Sequence, residues 1–184
     1  MKKEVKKKIT KSSAVFMAKT NGNFTAKEVK PRTVVFTGIW EKDIQLMIRR
    51  GMAWCAYVGI PMKYRITKNY NDIDIECHGG LTFGEKGVDD SEYKKGYFWY
   101  GWDYGHFGDY VHYSVEMEGK KFDKRTKDYK AVKTVFNEMN KSHKENGDKD
   151  WKLSEVVSDL FDVAEQFNKI VKGRIKEKKL KTKK

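Results

Sequence analysis

Apolar residues recur along this chain with two different periods, and each period predicts a different kind of element. Runs that alternate in polarity, or that are rich in β-branched and aromatic side chains, are typical of β-strands. Such runs occupy residues 33–39, 52–60, 72–78, 97–103 and 110–117, with shorter candidates at 13–18 and 81–83. Pro61 directly follows the second of the longer runs, where it favours the end of a strand.

Three other segments carry apolar residues three or four positions apart, the spacing of one helix face. Residues 41–50 carry Ile44, Met47 and Ile48 before Gly51, which predicts a short helix with a glycine at its end. Residues 127–139 and 151–171 carry longer apolar stripes and predict two more helices. The predicted fold is α+β: a mostly antiparallel sheet with two or more helices packed on one face, including a long C-terminal helix.

The charge of the chain is concentrated at its two ends. The formal net charge is +13. Residues 1–32 carry +8 and residues 172–184 carry +7, so residues 33–171 are slightly acidic. This division predicts a basic N-terminal arm (1–32), a single α+β domain (33–171) and a basic C-terminal tail (172–184). Lysine outnumbers arginine in both tails, so any contact with RNA or DNA there would be non-specific.

Other features predict a protein that stays in the reducing cytoplasm. The basic N-terminus lacks the apolar stretch of a signal peptide, and no run approaches the roughly 18 apolar residues of a membrane span. The two cysteines, Cys55 and Cys77, lie in apolar runs without zinc-site spacing, which favours buried, reduced thiols. We therefore expect no membrane contact.

Residues that can do chemistry are concentrated between Glu76 and Tyr110. Glycines there allow close backbone approach, aromatic rings offer flat apolar area, and imidazole and carboxylate groups can bind metals or protons. The predicted ligand-binding residues are His78, Gly79, Gly80, Trp99, Trp102, Asp103, Tyr104, His106 and Asp109. The strands on either side favour antiparallel pairing, so we expect His78 to lie beside the loop of residues 103–109.

Two interpretations of the polar members of this set remain open. His78, Asp103, His106 and Asp109 would together suit Zn, Mn or non-haem Fe, and such a metal could activate water for hydrolysis. Alternatively, His78 ties down its turn and the aspartates cap backbone N–H groups of the loop. The spacing does not decide between a metal site and a structural network.

Alternation also divides the aromatic residues of the predicted strand 97–103 between two faces. Tyr97, Trp99 and Asp103 fall on one face, and Phe98, Tyr100 and Trp102 on the other. We expect one face to be core and the other to be exposed or to line a pocket in which planar bases could stack.

Several runs of this chain resemble a family of small proteins from phages and mobile elements. They are G-M-A-W-C-A-Y-V-G-I-P (51–61), Y-N-D-I-D-I-E-C-H-G-G-L-T-F (70–83), W-Y-G-W-D-Y-G-H-F-G-D-Y (99–110) and W-K-L-S-E-V-V (151–157). Family members carry H-G-G-L-T-[YF] followed by W-x-G-[FW]-D-x-x-H-x-G-D. The matching positions here are His78, Gly79, Gly80, Leu81, Thr82, Trp102, Asp103, His106, Gly108 and Asp109. The long basic ends and residues 62–67 depart from the pattern.

The resemblance implies an accessory protein that works inside a bacterial host. Small proteins of that origin often antagonise host defence, so the leading hypothesis is an anti-defence binding protein, for example an anti-CRISPR. It would block a defence effector or sequester a nucleotide, and it would need no cofactor. One alternative is a metal-dependent hydrolase using His78, Asp103, His106 and Asp109, and another is a nucleic-acid-binding protein acting through its tails.

Overall fold

The computed structural model describes residues 8–9, 23–64, 66–67, 69–89, 91–114 and 126–181. Its strands are β1 (Lys8–Ile9), β2 (Val34–Ile39), β3 (Gln45–Arg50), β4 (Trp54–Pro61), β5 (Phe83–Lys86) and β6 (Tyr97–Asp103). Its helices are α1 (Lys127–Glu145) and α2 (Leu153–Lys181). The strands form one sheet in the order β1-β2-β3-β4-β6-β5 with every neighbour antiparallel. The predicted α+β class, including the long C-terminal helix, is confirmed.

Helix α2 supplies most of the core on one face of the sheet. Leu153, Leu160 and Phe167 follow one another at intervals of two helical turns, so they lie on the same face of the helix, and all three are fully buried. They meet the inward side chains of β4 and β6, among them Trp54 and Tyr100, whose ring stacks on Phe167. Removing each such large side chain from water stabilises the folded state by about 1.5–3 kcal/mol. The central strands and α2 therefore form the rigid base from which the loops of the site project.

The segment predicted as a helix at 41–50 forms a tight turn and a strand instead. Glu41–Asp43 makes a single 3-10 turn, and β3 then pairs with β2 on one side and β4 on the other. The apolar residues of this segment fit the spacing of a helix and also that of a strand. In the structure Leu46 and Ile48 point to the main core, and Met47 points to the opposite face of the sheet. Pairing on both edges of β3 provides backbone hydrogen bonds on each side of the strand and overrides the helical spacing.

Of the residues predicted as a strand at 72–78, only 73–77 lie between two turns, and they join no strand of the described sheet. Tyr70–Asp72 is a 3-10 turn, and the alternation is kept because Ile75 is buried and Cys77 half-buried. Gln166 of α2 takes the place of a partner strand: its side chain accepts from the N–H of Glu76 at 2.9 Å and donates to its carbonyl at 2.8 Å. The alternating pattern thus predicted the buried face correctly and the pairing wrongly.

The second face of the sheet is closed by a small aromatic cluster. Trp99 is 3% exposed and packs with Met47 and Tyr57. Tyr93 and Phe83 cover this cluster, their rings stacked at 5.1 Å. The expectation that the Trp99 face is exposed or lines a pocket is therefore wrong. The aromatic residues on both sides of β6 are used for packing.

The core extends beyond the predicted domain limits at both ends. Phe24, Ala26 and Val29, assigned to the basic arm, are buried in the main cluster. At the other end α2 continues to Lys181, and Ile175 still packs against the core. The strand predicted at 13–18 lies outside the described residues.

The segment predicted as a strand at 110–117 is irregular over residues 110–114, and the rest of it is not described. Its backbone is held by Met52 and Lys149, whose carbonyls accept from the N–H groups of His112 and Tyr110, and by α1. Asn140 of α1 accepts from the N–H of Tyr113 at 3.0 Å and donates to its carbonyl at 2.9 Å. No helix within the described ranges is long and apolar enough to cross a membrane.

Candidate functional site

The structure brings His78 and the loop after β6 together, as predicted. His78 follows the extended segment 73–77 and opens a turn that the N–H of Gly80 closes on the carbonyl of Cys77. Asp109 ends a second turn, in which its N–H donates to the carbonyl of His106. His78 Nε2 lies 2.6 Å from Asp109 Oδ2. We call His78, Tyr104, His106, Asp109 and Trp151 the Asp109 cluster.

Asp109 is the centre of this cluster because three N–H groups point at its carboxylate. Its Oδ2 accepts from His78 Nε2 and, at 2.9 Å, from the backbone N–H of His106. Its Oδ1 accepts from Trp151 Nε1 at 2.7 Å. The side chain is only 5% exposed. Burial would raise the pKa of Asp109, but these hydrogen bonds outweigh it and lower the pKa. Asp109 is thus an ion that holds three segments together.

His78 is clamped between aromatic rings. Its ring stacks on Tyr104 with centroids 4.9 Å apart and planes 5° apart, and it meets the Trp151 ring edge-on at 4.8 Å. An ionised carboxylate only accepts hydrogen bonds, so the nitrogen facing Asp109 carries the proton. The tautomer and orientation of His78 are therefore fixed by its neighbours.

Asp103 and His106 form the more exposed rim of the site. Asp103 accepts from the N–H of Gly105 at 3.0 Å and from the Thr82 hydroxyl at 3.2 Å. His106 Nε2 lies 3.9 Å from Asp103 Oδ1, which is beyond hydrogen-bond distance. Within the described part of the chain this nitrogen has no hydrogen-bond partner. The capping role that the sequence left open for the aspartates is the one the structure shows for both of them.

Position 79, directly after His78, requires a glycine for two reasons. Its φ is +66°, a conformation that side-chain-bearing residues rarely adopt. The His106 ring also lies directly against it, so that an added Cβ would come 1.9 Å from Nε2. Gly80 shares the positive φ (+82°), but no atom lies within 4 Å of the place where its Cβ would be. The first glycine is therefore needed for space as well as conformation.

The four residues considered as metal ligands do not form a metal-binding group. Among the described residues, no three His, Cys, Asp or Glu side chains are arranged to hold an ion. The geometry gives the reason, because His78 and Asp109 point at each other rather than at a shared centre. A metal would have to displace the N–H donors that now occupy both oxygens of Asp109.

Of the two predicted ligand-binding tryptophans, Trp99 lies away from the Asp109 cluster and Trp102 contacts it only through the Tyr104 hydroxyl, to which its Nε1 donates at 3.3 Å. Trp99 belongs to the aromatic cluster on the second face. Trp102 is 1% exposed, and its Nε1 donates to Asp159 Oδ2 of α2 at 3.0 Å. Tyr104 donates its hydroxyl to the same carboxylate, and burial, reinforced by Asp159, raises the pKa of that hydroxyl. Trp102 and Tyr104 thus attach the loop to α2.

The tip of the loop carries Phe107, whose side chain is completely exposed (108%). Before it, the backbone N–H groups of Gly105 and His106 donate to Asp103 and Asp109. After it, the carbonyl of Gly108 accepts from the N–H of Lys149 at 2.8 Å. Sequence reasoning included neighbouring His106 but missed Phe107, although a large apolar residue between a histidine and a glycine in a polar loop was a visible signal.

Sequence reasoning also missed a cavity that begins one residue beyond Asp109. It has a volume of about 530 Å³ and lies between residues 110–114 and α1. Its wall includes Arg50, which the sequence placed on a helix, and Lys144 from the polar face of α1. No single stretch of sequence signals this site, because its wall comes from four separate segments.

Comparisons with protein-family models, with curated proteins and with solved structures found no significant match to this chain. The site must therefore be interpreted from its own geometry.

Proposed function

We propose that this chain is a binding protein that blocks a host-defence effector, as expected for an accessory protein of a phage or mobile element. The resemblance of the motif pair supplies the biological setting. The observation that carries the proposal is the loop of residues 103–109, which holds an exposed aromatic side chain on a fixed backbone. The contact would be made by Phe107 and the rim residues Asp103 and His106.

The rigidity of this loop supports binding because it lowers the entropic cost of association. Asp103 and Asp109 hold the two backbone N–H groups that precede Phe107. After it, Gly108 turns the chain with φ +87° and its carbonyl accepts from the N–H of Lys149. A side chain that is already positioned loses less freedom when a partner covers it. Buried aromatic anchors also contribute much of the free energy at protein interfaces.

The polar groups of the Asp109 cluster support binding over hydrolysis. Both oxygens of Asp109 accept hydrogen bonds from the protein, and His78 is fixed against that carboxylate. A water-activating metal would need these same atoms. The hydrolase remains a hypothesis from the sequence, and this geometry does not favour it.

The basic tail is partly used within the fold. Lys172 forms an ion pair with Glu41 at 2.8 Å, and Arg174 donates to the carbonyl of Ile66 at 2.8 Å. These contacts leave fewer cations for nucleic acid than the charge count of residues 172–184 suggests. Contact with RNA or DNA through the tails remains a prediction from composition.

The proposal is tested by substituting Phe107→Ser and measuring protection from host defence. The chain is expressed in a panel of bacterial strains, each with one defence system, and phage plating efficiency is counted. We expect protection in at least one strain and its loss in F107S. Val88→Ser is the matched control, because Val88 is also exposed (56%) but lies outside the loop.

The stoichiometry of the effect then distinguishes a binder from an enzyme. With the purified effector of the responding strain, inhibition should saturate near one chain per effector. Protection that is unchanged in F107S would contradict the proposed contact. Inhibition at ratios well below one, lost on chelation of divalent metals, would instead establish the hydrolase.

A further inference from the structure

The cavity beside α1 has the size of a small-molecule site. Its volume of about 530 Å³ falls within the range of roughly 300–1,000 Å³ that is usual for ligand pockets. One wall comes from residues 27–31 and Arg50 at the end of β3, and the other from residues 110–114 and the last turns of α1. A bare phosphate ion would leave most of this volume unfilled.

Four cationic side chains line the cavity: Lys27, Arg50, Lys141 and Lys144. No carboxylate is among the lining residues that the structure describes. Asp150 lies 2.8 Å from His112 and Glu145 lies 3.5 Å from Lys141, so these acids offset part of the positive charge, but the four cations outnumber them. The guanidinium of Arg50 is almost fully buried, and its Nε donates to the carbonyl of Ala26. The cavity therefore concentrates positive charge, which favours an anionic ligand.

The cavity also presents aromatic rings on a fixed backbone. Tyr110 and His112 have ring centroids 4.4 Å apart, and Tyr113 stacks on His143 at 5.8 Å. Asn140 holds residues 110–113 in place. Its side chain bonds both the N–H and the carbonyl of Tyr113, and its backbone carbonyl accepts from the Tyr110 hydroxyl. Flat rings in a preformed wall suit a planar heterocycle.

We propose that this cavity binds a small nucleotide, with its phosphate against the lysines and its base against the tyrosines. The cationic side chains of the cavity alone would bind any anion, and its aromatic rings alone would bind any planar molecule. A nucleoside phosphate carries both groups at a separation that a cavity of this size can hold. The proposal does not depend on the Phe107 contact, because Phe107 does not line the cavity.

The test compares two double variants of α1 that remove the same charge. Lys141→Gln/Lys144→Gln removes two cavity lysines, and Lys130→Gln/Lys133→Gln removes two exposed lysines of the same helix that do not line the cavity. Glutamine preserves helix propensity, so both variants should fold. Binding of AMP, GMP and ATP is measured by calorimetry at constant ionic strength, beside adenosine and inorganic phosphate.

We expect at least one nucleotide to bind at millimolar concentration or below, with adenosine and inorganic phosphate each weaker. K141Q/K144Q should weaken nucleotide binding about tenfold, since each exposed lysine contributes modestly, while K130Q/K133Q should not change it. F107S should bind nucleotide as the wild type does. This result keeps the cavity separate from the proposed effector contact.

Three results would overturn the proposal. The first is no binding of any nucleotide at 5 mM, a concentration that detects even weak ligands. The second is phosphate binding as tightly as nucleotide, which would make the cavity an anion site without a base contact. The third is equal weakening by the two double variants, which would indicate non-specific attraction to the charge of the helix.

Discussion

Asp109→Asn should destabilise the protein more than any other conservative change in the loop. The amide keeps the shape of the side chain but replaces one oxygen by a donor. Of the two orientations open to the new amide, the less costly one turns the NH₂ towards Trp151 Nε1, so that two hydrogen-bond donors face each other in a buried site. The loss of one hydrogen bond to a charged acceptor, with a donor left unpaired, costs about 2–4 kcal/mol. For a chain of this length that corresponds to a fall in Tm of roughly 6–12 °C.

The free energy of unfolding is measured by urea titration, with tryptophan fluorescence as the probe. The control is Asp103→Asn, because Asp103 also caps the loop but its side chain is 39% exposed. We expect the control to lose about 1 kcal/mol or less, since water can replace its partners. If the two variants lose the same free energy within about 0.5 kcal/mol, Asp109 is not the centre of the network.

The same contacts predict how stability depends on pH. The hydrogen bonds from His78, Trp151 and the His106 backbone outweigh burial and hold the pKa of Asp109 below its ordinary value of 3.8. The unfolded chain therefore takes up this proton at a higher pH than the folded one. The contribution of Asp109 is complete above the unfolded pKa and is lost as the pH falls through the folded pKa. The difference between wild type and D109N should accordingly shrink below about pH 4.

Two further predictions concern the turn at Gly79 and the cysteines. Gly79→Ala should cost about 2 kcal/mol or more, since the new Cβ meets the His106 ring, while Gly80→Ala should cost only the backbone term of about 1 kcal/mol; equal losses in urea titration would contradict the contact. Burial raises the pKa of Cys77 to about 12 and also raises that of Cys55, so Ellman's reagent at pH 8 should react slowly with native protein and quickly in urea. Both thiols are half-buried, and rapid reaction of either one in the native protein would show that its surroundings do not raise its pKa.

The sequence predicted those elements whose local pattern and tertiary environment agree. Strand β6 has the predicted bounds, and β4 ends at Pro61 as expected. The broad apolar stripe of α2 favoured packing across the sheet, which is what the buried face of this helix does. The failure at β3 has the opposite cause, because Ile44, Met47 and Ile48 fit a helix and a two-sided strand equally well. Strand pairing decided between them, and a local pattern does not contain it.

The site was predicted in position but only partly in role. The adjacency was predicted from antiparallel pairing of residues 72–78 with 97–103, but β6 pairs with β4 and β5 instead. His78 meets the loop because β5, which follows the His78 turn, is the antiparallel neighbour of β6. The role depended on Trp151, which is 42 residues from Asp109 and whose N–H completes the coordination of that carboxylate. The cavity was missed for the same reason: Lys27, Arg50 and Lys144 become neighbours only when the chain is folded.

The Asp109 cluster also shows why a motif rich in histidine, aspartate and glycine need not be catalytic. The loop of residues 103–109 carries two glycines, buries Tyr104 as its one large apolar side chain, and has many backbone N–H groups to satisfy. A buried carboxylate that accepts several of them, with an imidazole fixed against it, is an efficient way to hold such a loop. Those polar groups are then occupied by the protein itself. Contact with other molecules must involve what the network leaves outside, which here is Phe107 with its rim and, separately, the basic cavity.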